Sequence, residues 1–199
     1  MNIPSEGYLK GLREVCHKNK ILLIFDEVQV GMGRTGRLFA YEHYGVEPDI
    51  LTLAKSLAGG VPIGAILLGK EVGDIFKPGD HASTFGGNPL ATAAGVAALS
   101  AILEEGILEN CQKVGHYFLD RLGELQRKFS FVQEVRGKGL ILGMELKREG
   151  APIVKEMMEK GFLINCTMGN VLRFLPPLIV TKEEVDRLIK ALEETFKKL

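Results

Sequence analysis

Four places along this sequence carry side chains of the kinds that bind charged ligands or react with them. The apolar run ILLIF at 21–25 ends in Asp26 and Glu27, and the run ILTL at 50–53 is followed by Ala54 and Lys55. Ser83 and Thr84 precede Phe85, Gly86 and Gly87, and Arg173 stands just before Pro176 and Pro177. A lone carboxylate at a strand end serves a structural or metal-binding role more often than any other. A lone lysine past a strand end is an ordinary surface charge unless its surroundings desolvate it or add positive charge. With a pKa near ~10.4, only about one free amine in a few thousand is neutral and nucleophilic at pH 7. Hydroxyls, free amides and flexible glycines suit a phosphate oxygen or a carboxylate, although the same residues also make a simple turn. A planar guanidinium clamps a carboxylate through two parallel hydrogen bonds, and otherwise sits on the surface.

An apolar strand ending in Asp-Glu is also how a magnesium-holding strand of a nucleotide hydrolase ends. That chemistry requires a phosphate loop of the form G-x-x-x-x-G-K-[ST], and Gly64–Lys70 (GAILLGK) supplies its glycines and its lysine. Glu71, however, stands where a hydroxyl should bind magnesium, the loop interior is the apolar AILL, and the segment follows the Asp-Glu strand instead of preceding it. Nucleotide hydrolysis is therefore the weaker alternative.

The elements that must position these residues follow from periodicity. Residues 5–19 place Tyr8, Leu12 and Val15 at helical spacing behind Ser5 as N-cap. The run 21–25 reads as a strand buried on both faces, and 50–53 and 62–69 repeat the pattern. Strands interleaved with helices predict an α/β sheet, whose ligands bind beyond the strand ends, where Asp26 and Lys55 would both lie. Asn88 and Pro89 cap an alanine-rich helix over 88–104, and a second helix runs through about 107–128. Strand candidates at 132–136, 139–146, 162–165 and 171–175, a helix at 151–160 and a closing helix at 181–198 make an α+β C-terminal lobe. The expected division is 1–104 and 105–199.

Bulk composition narrows the classes. The chain has 199 residues, 46% of them hydrophobic, enough for a real core. Lysines plus arginines equal acidic residues at 25 each, so no basic surplus exists to neutralise phosphates, which argues against nucleic acid as a partner. No run approaches the ~20 apolar residues of a spanning helix, and the start MNIPSEGYLK lacks a signal-peptide core, so the expectation is a cytoplasmic protein without membrane association. Cys16, Cys111 and Cys166 are widely spaced and odd in number, which fits reduced thiols. The four histidines form no ligand-spaced pair, so no metal site is expected. Glycine is unusually frequent, at 24 residues against an average usage near ~7%, and it clusters between Gly31 and Gly95.

Taken together, IFDEVQVGMGRTG (24–36), PDILTLAKSLAGGVPIGA (48–65), HASTFGGNPLA (81–91), VRGKGLILGMEL (135–146) and LRFLPPL (172–178) resemble the class III, ornithine-type aminotransferases of fold type I. Within that family they are most similar to the branch acting on acetylornithine in arginine biosynthesis. The resemblance implies a pyridoxal 5'-phosphate cofactor and amino transfer from N2-acetylornithine, or a similar ω-amino donor, to 2-oxoglutarate. Lys55 would be the catalytic residue: it bonds covalently to the cofactor and then shuttles a proton at the substrate α-carbon. Asp26 would keep the cofactor's ring nitrogen protonated, Val28 would pack on the ring, Gln29 would contact its phenolic oxygen, and Glu27 would support them from behind. Thr84 would reach the cofactor phosphate of a neighbouring subunit, implying a homodimer with shared sites. Ser83 would lie near the substrate, Arg173 would anchor its α-carboxylate, and Arg34 and Arg37 would make backbone or interface contacts.

The chain begins only 25 residues before Asp26, whereas the family has a long region before that point, with a phosphate-binding turn, an aromatic residue stacked on the ring and an arginine for the substrate side chain. The resemblance therefore implies the C-terminal part of a fold type I transferase: the rest of a large-domain sheet plus an α+β lobe. An inert folded or assembly module derived from such an enzyme is the alternative.

Overall fold

In a computed structural model of the chain, which describes residues 2–73 and 76–199, the two apolar runs that lead to Asp26 and Lys55 lie side by side. Strand β1 (Ile24–Asp26) pairs in parallel with β2 (Ile50–Leu53), and β2 pairs antiparallel with β3 (Ala65–Leu68). Only the end of the ILLIF run is strand. Ile21, Leu22 and Ile24 are exposed, and among the described residues β1 pairs with β2 alone, at an edge of its three-stranded sheet. Burial on both faces is thus not met at β1. On β2 the alternation is clean: Leu51 and Leu53 are buried, while Ile50 and Thr52 share the opposite, half-buried face.

Helix α1 (Tyr8–Lys18) starts at Gly7 in a left-handed conformation, not at Ser5, and its Arg13 donates to Asp49 at 2.9 Å. The same Asp49 oxygen accepts the Leu23 amide at 2.6 Å, fixing the approach to β1 and the start of β2 with one carboxylate. These hydrogen bonds, the Leu23 amide foremost, hold the Asp49 carboxyl below its ordinary value. Helix α2 (Pro89–Glu104) begins as expected, with the Asn88 side chain accepting from the Ala91 amide at 3.0 Å. Its small residues admit the short 3-10 turn Lys55–Ala58 closely: a Cβ on Gly95 would stand 3.6 Å from the Leu57 carbonyl oxygen.

Helix α3 (Ile107–Lys128) leads into β4 (Val132–Lys138), β5 (Ile141–Leu146), α4 (Ala151–Glu159), β6 (Asn165–Thr167), β7 (Val171–Phe174) and α5 (Lys182–Phe196). The second sheet has the order β4-β5-β7-β6 and is antiparallel throughout. Leu142, Met144 and Leu172 of its strands are buried, as are Phe118 and Leu122 of α3, Met157 of α4 and Leu192 of α5. Thr181 caps α5 reciprocally with Glu184, two orphan amides being satisfied at once. Strand β6 lies three residues later than expected.

The chain divides into two compact units, Pro4–Leu108 and Glu109–Leu199, the latter together with the N-terminal residues up to Ile3. The expectation of the remainder of a larger sheet plus an attached lobe is corrected here. Each unit is built on a sheet of its own, and the helices α1 to α5 are distributed between them. Among the described residues no single helix is long and apolar enough to cross a membrane.

Candidate active site

Because β1 and β2 run in parallel and in register, Asp26 and Thr52 are direct neighbours at the C-terminal ends of their strands. Oδ1 of Asp26 accepts two hydrogen bonds, from the Val28 amide at 3.0 Å and from the Thr52 hydroxyl at 3.1 Å. Oδ2 has no partner among the described residues, and the side chain is exposed. The carboxylate is thus held by one oxygen and presents the other.

Lys55 lies three residues beyond Thr52, at the head of the 3-10 turn. Its φ of 51° is in the left-handed region, which a residue with a Cβ adopts at a cost of about 1–3 kcal/mol, and such positions cluster where function demands them. Its amine is exposed and makes no hydrogen bond or ion pair among the described residues.

Glu27 faces the other way. It is 4% exposed, and its two oxygens accept the amides of Ala40 at 2.6 Å and Tyr41 at 2.8 Å, at the start of the 3-10 helix Ala40–His43. Burial pushes its carboxyl above the ordinary value, and the two amides pull part of the way back. Both Glu27 oxygens are thus engaged by the backbone at Ala40 and Tyr41. Gly31 closes the same turn on the Glu27 carbonyl at 2.9 Å, where a Cβ would stand only 2.9 Å from that oxygen. Val28 is half-buried and Gln29 exposed in this turn.

Ser83 and Thr84 lie in the stretch before α2. The Ser83 hydroxyl accepts the Gly86 amide at 2.9 Å, the Thr84 side chain has no partner among the described residues, and neither bonds to Asp26 or Lys55. Arg173, in the other unit, sits on β7 between Gly143 of β5 and Asn165 of β6. Its Nε donates to the Asn165 side chain at 3.2 Å. Thr52 and Asn165 are contacts that the sequence did not disclose. A hydroxyl inside the apolar ILTL was the only signal for the first, and the second required the β6–β7 register.

The segment Gly64–Lys70 settles the nucleotide-hydrolase alternative. Residues Ala65–Leu68 are a strand hydrogen-bonded to β2, so they do not form the open loop a nucleotide phosphate requires. Among the described residues no three His, Cys, Asp or Glu side chains are placed to hold a metal ion. A groove of about 630 Å³ in the Glu109–Leu199 unit is lined by apolar residues such as Phe118, Phe162 and Phe174, and none of the candidate residues borders it.

The family model for aminotransferase class-III matches residues 1–196. An acetylornithine aminotransferase of Methanocaldococcus jannaschii is 57% identical over 196 residues, covering 98% of this chain and 49% of the relative. One from Caldanaerobacter subterraneus is 55% identical over 193 residues, covering 96% and 49%. Among solved structures, the acetylornithine aminotransferase from Elizabethkingia anophelis superposes with a TM-score of 0.93 at 39% identity, covering 99% of this chain and 51% of that one. The ornithine aminotransferase from Plasmodium yoelii gives 0.93 at 38% identity, covering 98% and 53%. The chain spans about half the length of the curated relatives it matches. The expectation of a C-terminal portion alone is corrected by the extent of these matches: family likeness runs through nearly the whole chain and takes in both sheets and their helices.

Proposed function

Since this chain belongs to the class-III aminotransferases, we propose that it serves pyridoxal-phosphate-dependent transamination, moving an amino group from N2-acetylornithine or a similar ω-amino donor to 2-oxoglutarate. The observation that supports this reading is that Asp26, at the end of β1, pairs with Thr52 of the parallel strand β2, which leads three residues on to Lys55. The residues fit the cofactor. Oδ2 of Asp26 is open to accept the ring N–H, the Lys55 amine is open to the aldehyde, and the Thr84 hydroxyl is open to a phosphate oxygen.

When bound, the cofactor supplies an electron-withdrawing ring that stabilises negative charge at the substrate α-carbon. Asp26 keeps a proton on the ring nitrogen, which that stabilisation requires. Lys55 would hold the cofactor through its amine and would move the α-carbon proton as general base and acid. The Gln29 amide is assigned to the phenolic oxygen and Val28 to the ring face, with Glu27 bracing their turn from behind. Thr84 is assigned to the cofactor phosphate of a second copy in a homodimer, and Ser83 to the substrate. Arg173, its Nε engaged by Asn165, has the rest of its guanidinium for a substrate carboxylate. On this reading the cofactor chemistry belongs to residues 1–104 and the carboxylate anchor to residues 105–199.

The test is to mix the purified chain with pyridoxal phosphate, record its absorbance, reduce it with borohydride and map the labelled peptide by mass. A visible band with the label on Lys55, both lost in Lys55→Ala, is expected. Absence of a specific label, or a label that survives Lys55→Ala, would overturn the reading. Transamination with acetylornithine, ornithine and γ-aminobutyrate in parallel then assigns the donor.

A further inference from the structure

We propose that Thr52 is a positioning residue for the cofactor: its hydroxyl fixes the rotation of the Asp26 carboxylate so that Oδ2 alone meets the ring nitrogen. The inference rests on the reading above and goes beyond it, because it assigns a role to a residue that touches neither cofactor nor substrate there.

Thr52 is tied to the end of β1 twice. Its carbonyl accepts the Glu27 amide at 3.0 Å, and its hydroxyl donates to Oδ1 of Asp26 at 3.1 Å. The strand register aligns Thr52 with Asp26 on the same face of the sheet, opposite the buried Leu51 and Leu53. A carboxylate at a strand end rotates freely about its last bond unless something stops it. Here the Val28 amide and the Thr52 hydroxyl converge on one oxygen, so rotation would break both bonds at once. Valine would fill the same space and suits a strand equally well, but it cannot donate. Three residues further on, the same strand delivers Lys55. One residue therefore references the ring-nitrogen partner to the strand that carries the amine.

The experiment compares dissociation constants of pyridoxal phosphate and of its deaza analogue, in which carbon replaces the ring nitrogen, for the full chain and for Thr52→Val and Thr52→Ser. Losing a hydrogen bond to a charged group is expected to weaken pyridoxal phosphate about tenfold in Thr52→Val. Thr52→Ser should stay within about twofold of the parent, and the deaza analogue should bind parent and Thr52→Val alike, because it has no N–H for Asp26 to meet. Equal weakening of both ligands in Thr52→Val would mean a merely structural role and would overturn the proposal. So would unchanged binding of pyridoxal phosphate. If the unmutated chain bound neither ligand, or failed to distinguish them, the assignment of Asp26 would itself fall and take this inference with it. That failure is recognisable because it needs no variant.

Discussion

Glu27 and Ala40, thirteen residues apart, are joined by a 2.6 Å hydrogen bond from the Ala40 amide to a carboxylate that is almost wholly buried. With the companion bond from Tyr41, it anchors the glycine-rich excursion from Val28 to Phe39 that follows Asp26. Glu27→Ala leaves two amides without their acceptor. The expected loss is about 2–4 kcal/mol, from the penalty on unsatisfied buried donors. The pH dependence has a definite sign. Because burial raises the folded-state pKa above its ordinary value of 4.5, the carboxyl's contribution is fully present below that value and is lost as pH rises through the folded one. Urea midpoints followed across this window should fall with rising pH in the parent chain more than in Glu27→Gln. Equal slopes would mean that the carboxyl is not titrating in the buried position described.

Lys55 is held in a left-handed backbone conformation that its own Cβ opposes. Replacing it with alanine or with glycine removes the amine equally, so the stability difference between the two variants isolates the backbone. Glycine enters this region freely and alanine does not, and Lys55→Gly should therefore be the more stable by about 1 kcal/mol. Denaturant unfolding of the two proteins decides it. A more stable alanine variant would show that the turn relaxes once the side chain is gone, and that no strain is stored at this lysine.

The parts of this architecture legible in the sequence were those set by local chemistry. Asn88 and Pro89 marked the start of α2, and helices were expected through about 107–128 and at 181–198, where α3 and α5 lie. Strand ends before Asp26 and Lys55 were equally readable, because an apolar run stops where polar residues begin. Pairing was not readable. Nothing in AILL says that β3 runs antiparallel to β2, or that ILLIF is an exposed edge, since both depend on which neighbours the chain brings alongside. The contacts of Thr52 and Asn165 were hidden for the same reason: each is a cross-strand relationship, and register is a property of two segments at once.

Gly115 of α3 packs so tightly on the turn between β4 and β5 that a Cβ there would lie 2.4 Å from the Gly139 carbonyl oxygen. Backbone, not a flexible side chain, occupies the space. Gly115→Ala must push the helix from the sheet and is expected to destabilise the Glu109–Leu199 unit by about 1–3 kcal/mol. Gly123, two turns along the same helix, is the control. Its nearest obstacle is the end of the Arg127 side chain at 3.6 Å, so Gly123→Ala should stabilise by about 0.5–1 kcal/mol through helix propensity. Thermal unfolding of both variants tests the pair, and a neutral Gly115→Ala would show that α3 can shift without loss.

Arg173 and Asn165 divide the work of the proposed carboxylate anchor. Asn165 takes Nε, which orients the guanidinium plane and leaves both terminal nitrogens for a ligand. Lysine at this position keeps the charge but loses the fork. Arg173→Lys should therefore weaken 2-oxoglutarate binding to the cofactor-loaded chain by about tenfold or more. Asn165→Ala keeps the fork and frees its orientation, with an expected loss of about threefold, the scale of one ordinary hydrogen bond. Combining the two should cost little beyond Arg173→Lys alone, because Asn165 has no guanidinium left to orient. Calorimetric titration of the four proteins forms the cycle. Strictly additive losses would mean that Asn165 contacts the ligand by itself, and unchanged affinity in Arg173→Lys would remove Arg173 from the site.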